Sequence, residues 1–214
     1  MIGGNEISFL AQGLKWTLLL SAIAFVGGGV FGLAVALART SASPALRRTT
    51  AAYISVFQGT PLLMQLFVVY YGIGLIGVSV EAWLAVTIAF TLHASAFLGE
   101  IWRGGIQAVP NGQTEAAKAL GLHYLARMKD VVLPQALKIS LPATIGFLVQ
   151  LIKGTSLAAI VGFIELARAG QIVANQTFKP LLVFGLIGAT YFAICWPLSF
   201  LGSRIEKRMA HAHR

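Results

Sequence analysis

Residues 16–38 read WTLLLSAIAFVGGGVFGLAVALA, a stretch without a single formal charge, closed by Arg39. As a helix at about 1.5 Å per residue it is long enough to cross the roughly 30 Å of hydrocarbon in a bilayer. That reading changes the solvent, and with it the meaning of every polar residue that follows. Within the stretch, Gly28-x-x-x-Gly32 admits two uses. The glycines either let a second helix approach closely or reflect the general abundance of glycine in membrane helices.

Working outward, the pattern recurs. Uncharged runs cover Thr49–Val80, Ala82–Gly99 and Pro180–Ser203, and Ile139–Ile164 is apolar apart from Lys153. The expected spans are 14–38, 56–78, 81–101, 139–161 and 180–203. The second is interrupted by Gly59 and Pro61, so its first half either begins the span or lies along its mouth. The runs are continuously apolar, whereas a β-barrel shows segments of about ten residues alternating in polarity. The fold class is therefore an all-α membrane protein with five transmembrane helices, forming a single domain over 1–214. Composition agrees: 57% of the 214 residues are hydrophobic and 11% are charged, against about 25% charged in a soluble domain.

Basic residues set the expected orientation. Arg39, Arg47, Arg48, Arg103, Lys118, Arg127, Lys129, Lys138, Arg204, Lys207, Arg208 and Arg214 fall on one side, and Lys15, Arg168 and Lys179 on the other. The positive-inside rule then places the N-terminus outside and the C-terminus in the cytoplasm. A net charge of +9 is read as contact with lipid headgroups, not nucleic acid, because no basic stripe or nucleic-acid motif accompanies it. The lone Cys195 and the isolated His93 read as packed residues. Trp16, Trp83, Trp102 and Trp196 sit near span ends as interface anchors or as packing groups.

The exception to all this apolarity is the island Glu100–Lys138, with a cytoplasmic region expected at 102–138. Its centre, GQTEAAKALG at 112–121, is helix-forming and split in character. Ala116, Ala117, Leu120 and Leu125 are available for packing, Lys118, Arg127 and Lys129 for water. Gly121 suits a turn that needs positive φ, and Pro134 stands where the next helix rises. Glu115 has a plain reading as a favourable charge in a helix's first turn.

This island resembles the coupling loop of importer-type ABC transporter permeases. The matching residues are Glu115, Ala116, Ala117, Gly121, Val131, Leu133 and Pro134, with only Val131 departing from the usual isoleucine. FQGTPLLMQLF (57–67), EIWRGGIQAVPNGQTEAAKALG (100–121), LPQALKISLP (133–142) and IKGTSLAAIVG (152–162) are similar to the polar amino-acid uptake branch. The resemblance implies a permease subunit in a bacterial cytoplasmic (inner) membrane that pairs with an identical or paralogous second permease. Its further partners would be two cytoplasmic ATPase subunits, an extracytoplasmic amino-acid-binding protein and a polar amino acid. The ATPase-coupling residues it implies are Glu115, Ala116, Ala117, Gly121, Leu133 and Pro134. No phosphate-binding loop occurs in the chain, so it is not expected to be an enzyme. It would bind no cofactor, ATP and Mg being used by the partner ATPase.

A zwitterion crossing hydrocarbon needs polar groups inside the bundle. The candidates for the substrate pathway are Gln58, Thr60, Gln65, Glu100, Lys153, Thr155 and Ser156. Lys153 is either an interfacial anchor whose stem lies in lipid or a residue lining the path. The chain departs from the family at Gln58, where arginine is common, at Gly154, where an acid is common, and at Gly146 or Phe147, near a common asparagine. Those departures imply either a less charged passage or a site carried by the partner subunit. The competing functional class is a membrane assembly subunit that anchors a cytoplasmic partner without moving solute.

Overall fold

The structure is a computed structural model that describes residues 3–75, 77 and 81–212. The described elements are helical. Helix α1 runs Gly4–Arg39, α2 Pro44–Gly59, α3 Leu62–Leu75 and α4 Ala82–Ala108. Helix α5 (Asn111–Ala119) is followed by α6 (Tyr124–Ala126), a π turn (Arg127–Val132) and α7 (Leu133–Gly154). A 3₁₀ segment (Thr155–Val161), α8 (Leu166–Thr177) and α9 (Pro180–Ala212) complete the chain.

Four of the helical segments are long and apolar enough to cross a membrane, and a fifth span is counted if α2 and α3 are taken as one. The expected span at 56–78 is not one rod. Helices α2 and α3 meet at 106°, because Pro61 offers no N–H to continue the helix and its ring collides with the preceding turn. Ile76 and Val78, at the end of that expected span, lie outside the described residues. Three other spans run past their expected limits: α1 begins at Gly4, α4 continues to Ala108, and α9 reaches Ala212. The rise expected from Ile139 starts at Tyr124 and is helical almost without interruption to Val161. Immediately ahead of Pro134 the helix widens into the π turn, which relieves the clash between a proline ring and the carbonyl four residues earlier.

The core is built on α1 against α4. Leu20, Ala24, Val86, Ala89, Phe90, Ala94 and Leu98 are buried together with Leu66, Phe147 and Leu151. The backbones come close because glycine lines the seam. A Cβ at Gly28 would lie 2.3 Å from Ala94 Cβ, and one at Gly32 would lie 3.1 Å from Ser95 O and Gly99 N. Of the two uses open to Gly28 and Gly32, close helix approach is the one found. Tyr53 ties α2 to the same helix, its hydroxyl 2.9 Å from Leu92 O and 2.6 Å from Ser95 Oγ. Trp102 is a packing group whose Nε1 donates to Thr144 Oγ1 at 3.1 Å, whereas Trp83 and Trp196 remain exposed.

At the end of the bundle where α1 begins, α8 forms a helix that sequence reading had left as a connection. Leu166, Ala169, Val173 and Ala174 pack with Leu10, Val183 and Ile187. Its N-terminus is tied down by Glu165, which is fully buried. The carboxylate accepts from Ala167 N and Arg168 N, each at 2.8 Å, and from Tyr191 Oη at 3.1 Å. Leu166 N donates to Thr17 Oγ1 at 3.1 Å. Helices α1, α8 and α9 therefore meet at one carboxylate.

Overpacking the α1–α4 seam tests its role. Gly28→Val is expected to lower stability by about 1–3 kcal/mol, read as a lower unfolding midpoint in detergent. Gly188→Ala, where an added Cβ meets nothing within 4 Å, should change little. Equal midpoints for the two variants would show that the seam does not depend on close approach.

Candidate functional site

A cavity of about 490 Å³ opens where the α2–α3 bend faces α4, α7 and the 3₁₀ segment. That size falls within the range of small-molecule sites, about 300–1,000 Å³. Its polar wall consists of Thr60 from the bend, His93 from α4, Gln150 and Lys153 from α7, and Ser156 from the 3₁₀ segment. An aromatic slab completes it. Phe97 and Phe147 stack at 5.4 Å, and the His93 ring lies 4.4 Å from Phe97.

The bend is fixed by one amide. Gln65 is 7% exposed, and its Nε2 donates to Phe57 O at 2.7 Å, Thr60 O at 3.0 Å and Thr60 Oγ1 at 3.0 Å. Thr60 Oγ1 in turn donates to Val56 O at 2.7 Å. Together they satisfy carbonyls that the end of α2 leaves without helical partners. The other end of the amide, Oε1, lies 2.9 Å from His93 Nδ1. Because Nε2 faces carbonyl oxygens, the amide can be oriented only one way, and His93 Nδ1 must be the donor. His93 is thus both a brace for the bend and a wall of the cavity.

Of the pathway candidates, Thr60, Lys153 and Ser156 line the cavity, and Gln58, Gln65, Glu100 and Thr155 do not. Gln65 is spent on the bend. Thr155 is fully buried, and its hydroxyl donates to Ile152 O at 2.7 Å. Glu100 is held in a local ion pair, with Arg103 Nε 2.8 Å from Oε2 and Arg103 Nη2 2.5 Å from Oε1; Arg103 also donates to Gln107. Gln58 is exposed on α2, off the cavity. Lys153 borders both the cavity and a second groove beside Cys195 on α9. Sequence reading missed Gln150 and set His93 aside as packing. The available signal was position: Gln150 lies three residues before Lys153, on the same helical face.

A second arrangement lies at the far end of α4. Helix α5 ends in a closed turn: Gly121 N donates to Lys118 O at 2.9 Å and Leu122 N to Ala117 O at 3.1 Å, the Schellman pattern. Gly121 has φ +74°, as the turn requires. Ala117 is among the residues that the resemblance implies in ATPase coupling, where an outward position would serve docking. It is instead 3% exposed, turned toward the π turn, whose Met128 and Val132 are buried with Val109 and Ala136. Leu133 packs onto the same cluster. The outward residues are Glu115 and Ala116, with Leu120 at 81% and Leu125 at 70% exposure. Glu115 is the fifth residue of a helix that begins at Asn111, so it stands beyond the first turn and the plain N-terminal reading fails.

Residues 28–211 match the family described as the binding-protein-dependent transport system inner membrane component. The chain is similar to a probable amino-acid ABC transporter permease of Bacillus subtilis, 37% identical over 207 residues, covering 97% of this chain and 92% of the relative. It is also similar to a putative glutamine transport system permease of Rickettsia felis, 36% identical over 205 residues, 95% of this chain and 94% of that one. It superposes on the crystal structure of an amino acid ABC transporter with histidines at a TM-score of 0.86 and 35% identity, covering 94% of each chain.

The bend gives a direct test. Gln65→Ala is expected to cost about 1–3 kcal/mol by leaving buried groups unsatisfied. Gln65→Glu, nearly the same shape, should cost at least as much, because it sets oxygen against the carbonyls of Phe57 and Thr60. Unfolding midpoints in detergent read both, and a Gln65→Glu protein as stable as the parent would remove the amide from this role.

Proposed function

This chain belongs to the binding-protein-dependent transport system inner membrane component family, and from that premise we propose how its two sites divide the work of transport. It is the transmembrane permease subunit of an ABC-type amino-acid importer and a multi-pass inner-membrane protein. It catalyses no reaction and holds no cofactor of its own, ATP and Mg²⁺ being used by the separate ATPase to which it couples. The cavity at Thr60, His93, Gln150, Lys153 and Ser156 is the stretch of the amino acid's path contributed by this subunit. The outward face of α5, with Glu115, Ala116 and Leu120, and the adjoining Leu125 form the surface that seats in the ATPase. Ala117, Gly121, Leu133 and Pro134 serve coupling from within, by holding α5 to the π turn and α7.

The observation that carries this reading is mechanical continuity. Helix α5 is packed through Ala117 onto the π turn, the π turn continues into α7, and α7 supplies Gln150 and Lys153 to the cavity. A displacement of α5 by a closing ATPase is therefore delivered to the cavity wall along one helix, the kind of rigid-element motion that underlies alternating access. The complete importer has a second permease, identical or paralogous, two cytoplasmic ATPase subunits and an extracytoplasmic amino-acid-binding protein. The N-terminus lies outside and the C-terminus in the cytoplasm, in keeping with the basic residues gathered at the α5 end.

Two measurements test the proposal. In a Cys195→Ser background, single cysteines at Ala45 and Gln176 are expected to label from the cytoplasm and from outside, respectively; reversed labelling overturns the orientation. Leu120→Glu places charge on the docking face and is expected to reduce ATPase co-purification at least tenfold and to abolish substrate-stimulated ATP hydrolysis in vesicles. Full binding and full stimulation in that variant would remove the exposed face of α5 from coupling. ATP-driven uptake that is absent from a fully assembled complex would mark the chain as an anchor and not a conduit.

A further inference from the structure

The charge on the cavity wall selects a solute class. Lys153 is the one side chain among the lining residues with a formal charge, and no aspartate or glutamate lines the cavity. Across the cavity from α7, His93 has its Nδ1 proton committed to Gln65 Oε1. In the neutral ring Nε2 is left as an acceptor. Among the described residues no group bonds to that nitrogen, yet it is not an enclosed unpartnered atom; the open space beside the ring is the cavity. The wall thus presents an ammonium for a carboxylate and an imidazole acceptor for an N–H donor, with Ser156, Gln150 and the Phe97–Phe147 slab also lining the cavity.

We infer that the cavity takes α-amino acids with uncharged polar or acidic side chains, Lys153 binding a carboxylate and His93 Nε2 an ammonium or amide N–H, and that it turns away lysine and arginine. The inference rests on the reading of the cavity as the solute path. A second cation brought beside the Lys153 ammonium in a site of low dielectric meets repulsion with no carboxylate to offset it. A neutral amide or hydroxyl side chain meets hydrogen-bonding partners, and an acid meets the ammonium. His93 also positions the bend, so its effect on solute must be separated from its effect on Gln65.

The experiment is direct binding of the twenty standard amino acids, one at a time, to the purified permease–ATPase complex in lipid nanodiscs, without the binding protein, so that the selectivity measured belongs to the membrane subunit. Neutral polar or acidic amino acids are expected to bind, with lysine and arginine at least tenfold weaker. Lys153→Gln should weaken binding at least tenfold, and Lys153→Glu should reverse the order in favour of arginine. His93→Asn keeps an N–H for Gln65 and removes Nε2. It is expected to leave complex yield at the parent level and to lower thermal stability by less than Gln65→Ala does, while weakening binding at least fivefold. If lysine or arginine binds the parent as tightly as any neutral amino acid, and Lys153→Gln still changes affinities, the charge selection is wrong and the cavity stands. If amino acids bind and none of the three variants alters any affinity, or if no amino acid binds at all, the cavity is not the solute site and both readings fall. If His93→Asn destabilises the complex as much as Gln65→Ala does, His93 acts only through the bend.

Discussion

Hydrocarbon offers no hydrogen bonds, so every interruption of a helix within the bundle must bring its own partners. Most of the molecule's polar side chains can be understood from that constraint. At the Thr60–Pro61 break, the carbonyls that end α2 are met by Gln65 and by the Thr60 hydroxyl. At the start of α8, the first three amides are met by Thr17 and the two oxygens of Glu165. Ahead of Pro134 the helix does not break but widens into a π turn. Each solution uses a side chain or a change of pitch supplied by the chain itself, and each also joins helices: α2 and α3 to α4 through His93, and α8 to α1 and α9 through Thr17 and Tyr191.

Because the breaks are sealed locally, they open space without exposing backbone. The bend turns α3 away from α2, and the room it leaves against α4 and α7 is the cavity. A straight helix over 44–75 would have carried its side chains past that point and filled it with one more apolar layer. The residues that fix the bend therefore shape the cavity without all lining it. Gln65 braces from behind, whereas Thr60 and His93 belong to both the brace and the wall.

The helical, multi-span fold was legible in the sequence because lipid demands long uncharged runs, and Trp16–Ala38 shows one without ambiguity. The coupling turn was legible for a local reason: Gly121 adopts the positive φ that its placement after a helix suggests. What was not legible depended on tertiary contact. Helix α8 is short and half polar, and its cap is a glutamate whose other partners lie in α1 and α9, far away in the chain. The pathway candidates were chosen for polarity, which does not distinguish a side chain facing a cavity from one serving a carbonyl; Thr155 and Gln65 fell on the wrong side of that distinction. His93 is packed and hydrogen-bonded as its place in an apolar run suggests, but such a run gives no sign that it also lines a cavity.

Ala117 shows how the two sites become one device. A small residue on a helix flanked by water reads as an invitation to an outside partner, but burial at 3% turns it inward. Its smallness then serves the approach of α5 to the π turn, leaving Leu120 and Leu125 to face outward. In the proposed coupling, an outside partner grips the apolar residues, the alanine passes the load to the chain, and α7 carries it to Lys153. The π turn lies between α5 and α7 in that line. The π turn ends at Val132, just before Pro134, which stands in the first turn of α7. The proline that ends the coupling pattern stands, in this chain, where the π turn gives way to α7.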